Sequence, residues 1–236
     1  MSPIFGKIKK ENVSEKDYVK ALGLVIDGRI EEAKELFIKI VKNDSENIDA
    51  YCRLGNIFRA QCQYKKAAKI HQSLLLRPSL PTKTAHHICK ELIKDYFILK
   101  DFLKAEELIK DFLNKENFFS LKEELLKVYE ATGRWDAALE LKKELDQFQK
   151  KDDPTILALY IVKKADIVVK TLGREARILY KDALKLDPEC VSAIIGIGDS
   201  YVKERRYNDA LKFWRIIIEK IPNKSFLIFD RLEKLF

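Results

Sequence analysis

The apolar positions of this chain follow a helical period, and that helical pattern is itself repeated about every 34 residues. Its clearest mark is an alanine that recurs at intervals of 34, 38, 33, 38 and 34 residues, namely Ala33, Ala67, Ala105, Ala138, Ala176 and Ala210. A methyl-sized side chain at a fixed place lets two helices approach closely. The pattern therefore predicts a stack of helix–turn–helix pairs.

Larger side chains occupy two further fixed places in the repeat. An aromatic residue, an isoleucine or a histidine follows the alanine by four positions, and an aromatic residue precedes it by nine. This helical spacing favours core packing over a cofactor-binding stripe. The predicted core positions are Phe37, His71, Ile109, Tyr180 and Trp214 after the alanine, and Phe58, Tyr96, Tyr129 and Tyr201 before it.

Glycines mark the close contacts and the turns of the repeat. Gly55 and Gly198 stand twelve residues before their alanines, where the second helix of a pair crosses the first. Gly28 and Gly133 stand five residues before theirs, where a left-handed backbone ends the first helix. Together with the period, these positions identify the repeat as the tetratricopeptide type.

Prolines end some second helices, and two longer connections separate neighbouring repeats. Pro188 and Pro222 stand twelve residues after their alanines and end second helices, because proline lacks a backbone donor. The two 38-residue intervals coincide with helix breaks at 78–82 and 150–154, which we interpret as bends within one body.

We therefore predict an all-α tetratricopeptide repeat fold, a right-handed superhelix of six helix pairs plus a terminal helix. A basic N-terminal arm covers residues 1–13, and the six repeats cover residues 14–222. Residues 223–236 form either a capping helix or the start of a seventh repeat.

Positive charge exceeds negative charge, but it is not concentrated. The 236 residues include 45 Lys and Arg against 37 Asp and Glu, a formal net charge of +8. The surplus is spread over nearly every helix, without the stacking aromatics and compact basic motif of a dedicated nucleic-acid reader. We predict a protein client and no nucleic acid. The alternative of an RNA-associated repeat protein requires strongly salt-dependent RNA binding.

The cysteines and histidines do not form a recognisable chemical site. The four cysteines contain no C-x-x-C pair and no signal peptide precedes them, which indicates a reducing, cytoplasmic compartment. His86 and Cys89 share a helix face at i, i+3 spacing, but a structural zinc normally takes four ligands. No phosphate-binding glycine loop or H-E-x-x-H motif occurs. We predict no enzymatic activity, no metal and no cofactor.

The first helices offer a candidate binding surface. We expect residues 18, 15, 11 and 8 positions before the repeat alanine to face the concave side of the stack. In repeats two to five these are Asp49, Cys52, Asn56 and Arg59; His87, Lys90, Lys94 and Phe97; Ser120, Glu123, Lys127 and Glu130; and Ala158, Ile161, Ala165 and Val168. A polar, basic section thus adjoins an apolar one.

From these rows we predict a peptide-binding groove that contains Asn56, Arg59, Lys90, Lys94, Phe97 and Lys127. The asparagine holds a client backbone, and the cations meet the carboxylates of an acidic-amphipathic segment. The alternative is a solvated helix face without a client. A chaperone-type carboxylate clamp is not expected, because Tyr18 and Glu91 stand where that clamp needs lysine and arginine.

Several longer strings carry a more specific resemblance. They are D-Y-V at 17–19, L-G-N-I-F-R at 54–59, A-K-I-H-Q at 68–72, R-P-S-L at 77–80, D-P-E-C-V at 187–191 and G-D at 198–199. In this order, over nearly the whole chain, the sequence resembles the lipopolysaccharide assembly protein B family.

The resemblance implies a non-enzymatic adaptor at the inner face of the inner membrane. Such an adaptor helps a membrane protease degrade the deacetylase that commits substrate to lipid A synthesis, so the protease, the deacetylase or their regulator is the implied partner. The family's N-terminal anchor and its rubredoxin-like C-terminal module are missing from this sequence, so membrane contact is expected only through a missing anchor or a partner. The alternative is a generic tetratricopeptide scaffold for another cytoplasmic client.

Overall fold

The described part of the chain is built from helices alone. The computed structural model describes residues 15–116 and 118–235, so the arm predicted at residues 1–13 lies outside it. The six pairs are α1 (Glu15–Ile26) with α2 (Ile30–Asn43), α3 (Ile48–Ala60) with α4 (Tyr64–Leu75), α5 (Thr82–Ile98) with α6 (Phe102–Leu113), α7 (Phe119–Ala131) with α8 (Trp135–Gln149), α9 (Pro154–Val168) with α10 (Gly173–Leu186), and α11 (Val191–Lys203) with α12 (Tyr207–Lys220). The predicted all-α class is confirmed. No helix within the described ranges is long and apolar enough to cross a membrane.

The repeat alanines are the most completely buried positions of the pattern. Ala33, Ala67, Ala105, Ala138, Ala176 and Ala210 are all 0% exposed. The predicted core residues Phe37, His71, Ile109, Tyr180 and Trp214 are buried as well. Of the aromatic residues nine positions before the alanine, Phe58 and Tyr96 are buried, and Tyr129 and Tyr201 are half-buried. The predicted packing role of both positions is confirmed.

Two first-helix glycines let a large side chain of the second helix approach the backbone. A Cβ atom on Gly55 would lie 2.5 Å from Nε2 of His71. A Cβ atom on Gly198 would lie 2.1 Å from Nε1 of Trp214. Any side chain at these positions therefore forces the ring or the helix to move.

The turn inside a helix pair commonly uses a left-handed residue. Gly28 and Gly133 have φ angles of +74° and +70°, as predicted. Cys62, Lys100 and Arg205 hold the equivalent repeat position with φ angles of 59°, 56° and 58°. Because a left-handed backbone is unfavourable for residues with a Cβ atom, helix packing imposes this turn against local preference.

The chain forms two compact units, each with its own core. The first unit ends at Glu124 and the second begins at Leu125, inside α7. This boundary coincides with neither of the breaks at 78–82 and 150–154. Phe37 lies in the core of the first unit, and Tyr180 and Trp214 lie in core clusters of the second.

The segment after α12 contains two short helical pieces. A 3₁₀ helix spans Pro222–Ile228 and is followed directly by α13 (Phe229–Glu233). Ser225 Oγ donates a hydrogen bond of 2.7 Å to the carbonyl oxygen of Pro222, a local bond that competes with regular α-helical bonding. Ile228 is fully buried in a core cluster of the second unit, together with Trp214 and Ile217, and this burial anchors the segment.

We predict opposite effects of alanine at two first-helix glycines of the same unit. Gly55→Ala should lower the free energy of unfolding by about 1–3 kcal/mol, because the new methyl group collides with His71. Gly23→Ala should raise it by about 0.4–1 kcal/mol, because no atom lies within 4 Å of its Cβ position and glycine is a poor helix former. Urea denaturation of both variants checks this, and equal effects would contradict the assigned helix crossing.

Candidate functional site

A network of charged side chains links α3, α4 and α5 in the first unit, and it contains half of the residues predicted to form the groove. Arg59 Nη1 donates to Asp95 Oδ1 at 2.9 Å and to the carbonyl oxygen of Glu91 at 3.1 Å. Its Nη2 donates to Asn56 Oδ1 at 2.6 Å and to the Glu91 carboxylate. Glu91 also accepts from Lys94 Nζ at 2.6 Å. The structure thus joins Arg59 and Lys94 through acidic residues of α5, and it pairs Asn56 directly with Arg59.

His71 connects this network to the core. Its Nδ1 lies 2.5 Å from Asp95 Oδ2, and its Nε2 lies 3.2 Å from the carbonyl oxygen of Cys52. Both His71 and Asp95 are 0% exposed. Both ring nitrogens of His71 therefore face hydrogen-bond acceptors inside the fold. The residue is a hydrogen-bonded core histidine, in agreement with the packing position predicted for it.

The network compensates two of the cations that the sequence assigned to a client. Burial opposes ionisation of Glu91, but the hydrogen bonds from Lys94 and Arg59 outweigh it and lower the pKa of that carboxyl group. Both terminal nitrogens of Arg59 have acceptors inside the chain. Arg59 is therefore held in the fold, whereas the side chain of Lys94 stays 55% exposed beside Glu91.

The remaining predicted groove residues lie apart from this network. Lys90 is half-buried on α5, and Phe97 packs edge-on against Phe102 with ring centroids 5.4 Å apart. Lys127 is exposed on the part of α7 that belongs to the second unit.

Three other members of the predicted concave rows are not on the surface. Cys52 is 3% exposed, and Ala158 and Ala165 are 0% exposed. The apolar section predicted in repeat five is thus largely core. The reason is that α9 carries apolar residues around most of its circumference and packs against both α10 and α11.

The His86 and Cys89 pair does not form a common site. Cys89 is fully buried, and burial raises the pKa of its thiol to about 12. His86 instead stacks on Phe118 with ring centroids 4.2 Å apart, and its Nε2 lies 3.0 Å from Ser120 Oγ. Within the described ranges, no group of three or more His, Cys, Asp or Glu residues is placed to hold a metal ion.

A groove of about 610 Å³ lies on the first-helix side of the second unit. Its walls come from α9, α11 and the segment after α12, and the ring of Tyr180 forms part of its floor. A Cβ atom on Gly196 would lie 2.5 Å from that ring, so glycine is needed for the ring to reach this place. The lining residues are Val162, Asp166, Val169, Tyr180, Val191, Ser192, Ile195, Gly196, Asp199, Ser200, Lys203, Lys224, Leu227 and Arg231.

The groove combines an apolar floor with unpaired cations. Arg231 binds Asp199 through three contacts of 2.8–3.1 Å, which compensates that carboxylate. Tyr180 donates its hydroxyl to Asp166 at 2.7 Å; burial and this hydrogen bond raise the pKa of the tyrosine. Lys203 and Lys224 form no ion pair with any described residue. The groove thus offers two free ammonium groups beside aliphatic side chains.

Part of the groove follows from the rule that places residues 18, 15, 11 and 8 positions before the repeat alanine on the concave side. Applied to Ala210, positions 18, 15 and 11 before the alanine give Ser192, Ile195 and Asp199, and all three line the groove. The contribution of Lys224 and Arg231 was not predictable in this way, because they belong to the irregular segment after α12.

Comparison with known proteins confirms the predicted resemblance. A family model described as a PPR repeat matches residues 22–45. The chain is 24% identical over 221 residues to lipopolysaccharide assembly protein B of Haemophilus influenzae, covering 90% of this chain and 56% of that protein. It is 24% identical over 217 residues to the Escherichia coli K12 protein of the same name, covering 91% and 56%. The chain therefore spans about half the length of these relatives.

Solved structures agree on the fold. The structure of Naa15/Naa10 bound to HypK-THB matches with a TM-score of 0.59 and 17% identity, covering 87% of this chain and 32% of that chain. A tetratricopeptide repeat protein from Parabacteroides merdae matches with a TM-score of 0.53 and 15% identity, covering 87% and 79%. The chain thus has the tetratricopeptide repeat fold and is similar to lipopolysaccharide assembly protein B.

The lowered pKa of Glu91 predicts how the first unit responds to acid. Its folded pKa lies below the usual value of 4.5, so the stability from ionised Glu91 is present above pH 4.5 and is lost as pH falls through the folded value. Glu91→Gln should cost on the order of 2 kcal/mol at pH 7 and flatten this acid dependence. Urea denaturation from pH 3 to 7 checks this against Glu35→Gln, an exposed control on α2. The same pH dependence in both variants would exclude a special role for Glu91.

Proposed function

We propose that this chain is a non-enzymatic protein–protein adaptor that acts in lipopolysaccharide assembly. The observation that carries the proposal is the similarity to lipopolysaccharide assembly protein B across nine-tenths of the chain. The groove of the second unit supplies a surface on which a partner can bind. Buried cysteines add to this view, because burial raises the pKa of the Cys52 and Cys89 thiols to about 12, which disfavours the nucleophilic thiolate.

The groove fits an extended protein segment with apolar and acidic residues. Aliphatic side chains of the client would pack on Val162, Val169 and Ile195, while its carboxylates would meet Lys203 and Lys224. A volume of about 610 Å³ accommodates a few client side chains.

The first unit supplies a second client contact in this proposal. Arg59 fixes the amide of Asn56 by using its oxygen, which leaves the amide nitrogen to donate to a client carbonyl. Lys90, Lys94 and Phe97 follow on α5 and extend this contact within the first unit. The internal pairing of Arg59 makes it a positioning residue for Asn56.

Within this role, we propose as clients the proteins that the resemblance to lipopolysaccharide assembly protein B implies. They are the membrane protease, the deacetylase that commits substrate to lipid A synthesis, or their regulator. A membrane anchor on the adaptor would raise the local concentration of such clients, commonly to the millimolar range for short flexible linkers, and thereby strengthen a modest intrinsic affinity.

We predict that the purified chain binds the purified deacetylase and that Lys203→Glu with Lys224→Glu weakens this binding about tenfold, because two charge-assisted contacts become repulsive. The matched control is Lys163→Glu with Lys220→Glu, which makes the same change of net charge outside the groove lining. Fluorescence anisotropy with labelled deacetylase measures both. Equal weakening by the two pairs would show that net charge, and not the groove, holds the client.

Two further outcomes separate the general proposal of a protein adaptor from the specific proposal that the deacetylase is its client. If the chain binds another protein client but not the deacetylase, it is a generic tetratricopeptide scaffold. If it binds the deacetylase but fails to shorten that enzyme's half-life in cells lacking their own assembly protein B, the role in proteolytic turnover is excluded.

A further inference from the structure

A cationic pocket of about 480 Å³ lies in the second unit and shares no lining residue with the groove. Arg174, Arg177, Ile178 and Lys181 line it from α10, Tyr201 lines it from α11, and Arg206 lines it from the turn before α12. Four of the six lining residues carry a positive charge, and no carboxylate is among them. Neither the sequence patterns nor the proposed client groove accounts for this concentration.

An aromatic ring holds two of the cations in place. The guanidinium carbon of Arg177 lies 4.5 Å from the centre of the Tyr201 ring, and that of Arg206 lies 4.6 Å from it. Both distances are within cation–π range. Tyr201 itself stacks on Phe213 with ring centroids 5.9 Å apart. The ring of Tyr201 thus lies against both guanidinium groups at the pocket.

Arg177 is the most buried of the four cations that line the pocket. It is only 8% exposed, and its Nη1 donates to Glu204 Oε1 at 2.7 Å and to Ser200 Oγ at 3.3 Å. Its Nη2 and Nε have no acceptor among the described residues, although the residue lines the pocket. These two nitrogens therefore remain available to an anion that enters the pocket.

The carboxylates near the pocket do not balance its charge. Glu204 is shared between Arg177 and Arg206, and Asp209 is shared between Arg206 and Lys212. Arg174 and Lys181, which complete the pocket, have no ion-pair partner in the described ranges. The pocket therefore keeps an excess of positive charge.

We propose that this pocket binds a phosphate group. Several cations on different sides of a small volume suit a tetrahedral anion with many acceptor oxygens, and guanidinium forks match phosphate geometry. Ile178, 55% exposed at the same pocket, offers an apolar contact for the part of the ligand next to the phosphate. The phosphate belongs either to a lipid headgroup or to a soluble molecule, and the experiment separates these sources.

The test uses the full chain and two probes. Equilibrium dialysis with radiolabelled inorganic phosphate measures the soluble anion, and co-sedimentation with phosphatidylcholine vesicles, with or without 20% phosphatidic acid, measures the lipid headgroup. Arg174→Glu with Lys181→Glu should weaken phosphate binding at least tenfold. The charge-matched control Lys163→Glu with Lys220→Glu should leave it within twofold of the unmodified chain.

A second pair of variants tests the arrangement rather than the charge. Tyr201→Phe keeps a ring between the two arginines and should preserve binding, whereas Tyr201→Leu removes the ring and should weaken it several-fold while circular dichroism stays unchanged. Binding to phosphatidic acid vesicles assigns the site to a lipid phosphate, and binding to inorganic phosphate alone assigns it to a soluble ligand. Equal losses in the two charge-reversed chains, or no saturable binding of either probe, would overturn the proposal.

Discussion

The close approach of two helices in each pair is the constraint on which this structure depends. The six repeat alanines have no solvent exposure, and at Gly55 and Gly198 even a methyl group would collide with the residue opposite. At these two contacts the large side chain four residues after the alanine lies directly on the glycine backbone, so its position is determined as well. The same packing holds Lys100 and Arg205 in a left-handed conformation that their side chains disfavour.

Helix packing determines whether each cation is paired within the chain or remains available to a partner. Arg59 faces Glu91 and Asp95 across neighbouring helices and becomes part of the fold. Lys203 and Lys224 line a groove whose carboxylates, Asp166 and Asp199, accept hydrogen bonds from Tyr180 and Arg231 instead. Arg177 is buried like Arg59, but it keeps donors that no residue of the described chain accepts. The net charge of +8 therefore does not show which cations are paired inside the fold, which lie in the groove without an ion pair, and which are buried with nitrogens still available.

Fold and function rest on different observations in this protein. The likeness to solved structures is below 20% identity and establishes the tetratricopeptide helix pairs. The proposed role rests on the similarity to assembly protein B and on the chemistry of the surface. In the groove, aliphatic side chains and two ammonium groups match the apolar and acidic residues of the proposed protein segment.

The sequence by itself determined the helix pairs, the buried alanines and the left-handed glycines, because these follow from spacing along one chain. Gly28, Gly55 and Trp214 could be placed by counting residues. The same spacing rule, which we applied to repeats two to five only, also fits the groove residues Ser192, Ile195 and Asp199 of repeat six.

Only the tertiary structure decided which polar residues remain available to a partner. Arg59 and Asp95 are 36 residues apart in sequence, and no local pattern shows that they form an ion pair. The meeting of Arg177 with Arg206 around Tyr201 likewise depends on a contact between different helix pairs. The physical reason is that periodicity reports which face of a helix is buried, whereas the charge state and hydrogen bonding of a side chain depend on the residues that packing brings within a few ångströms.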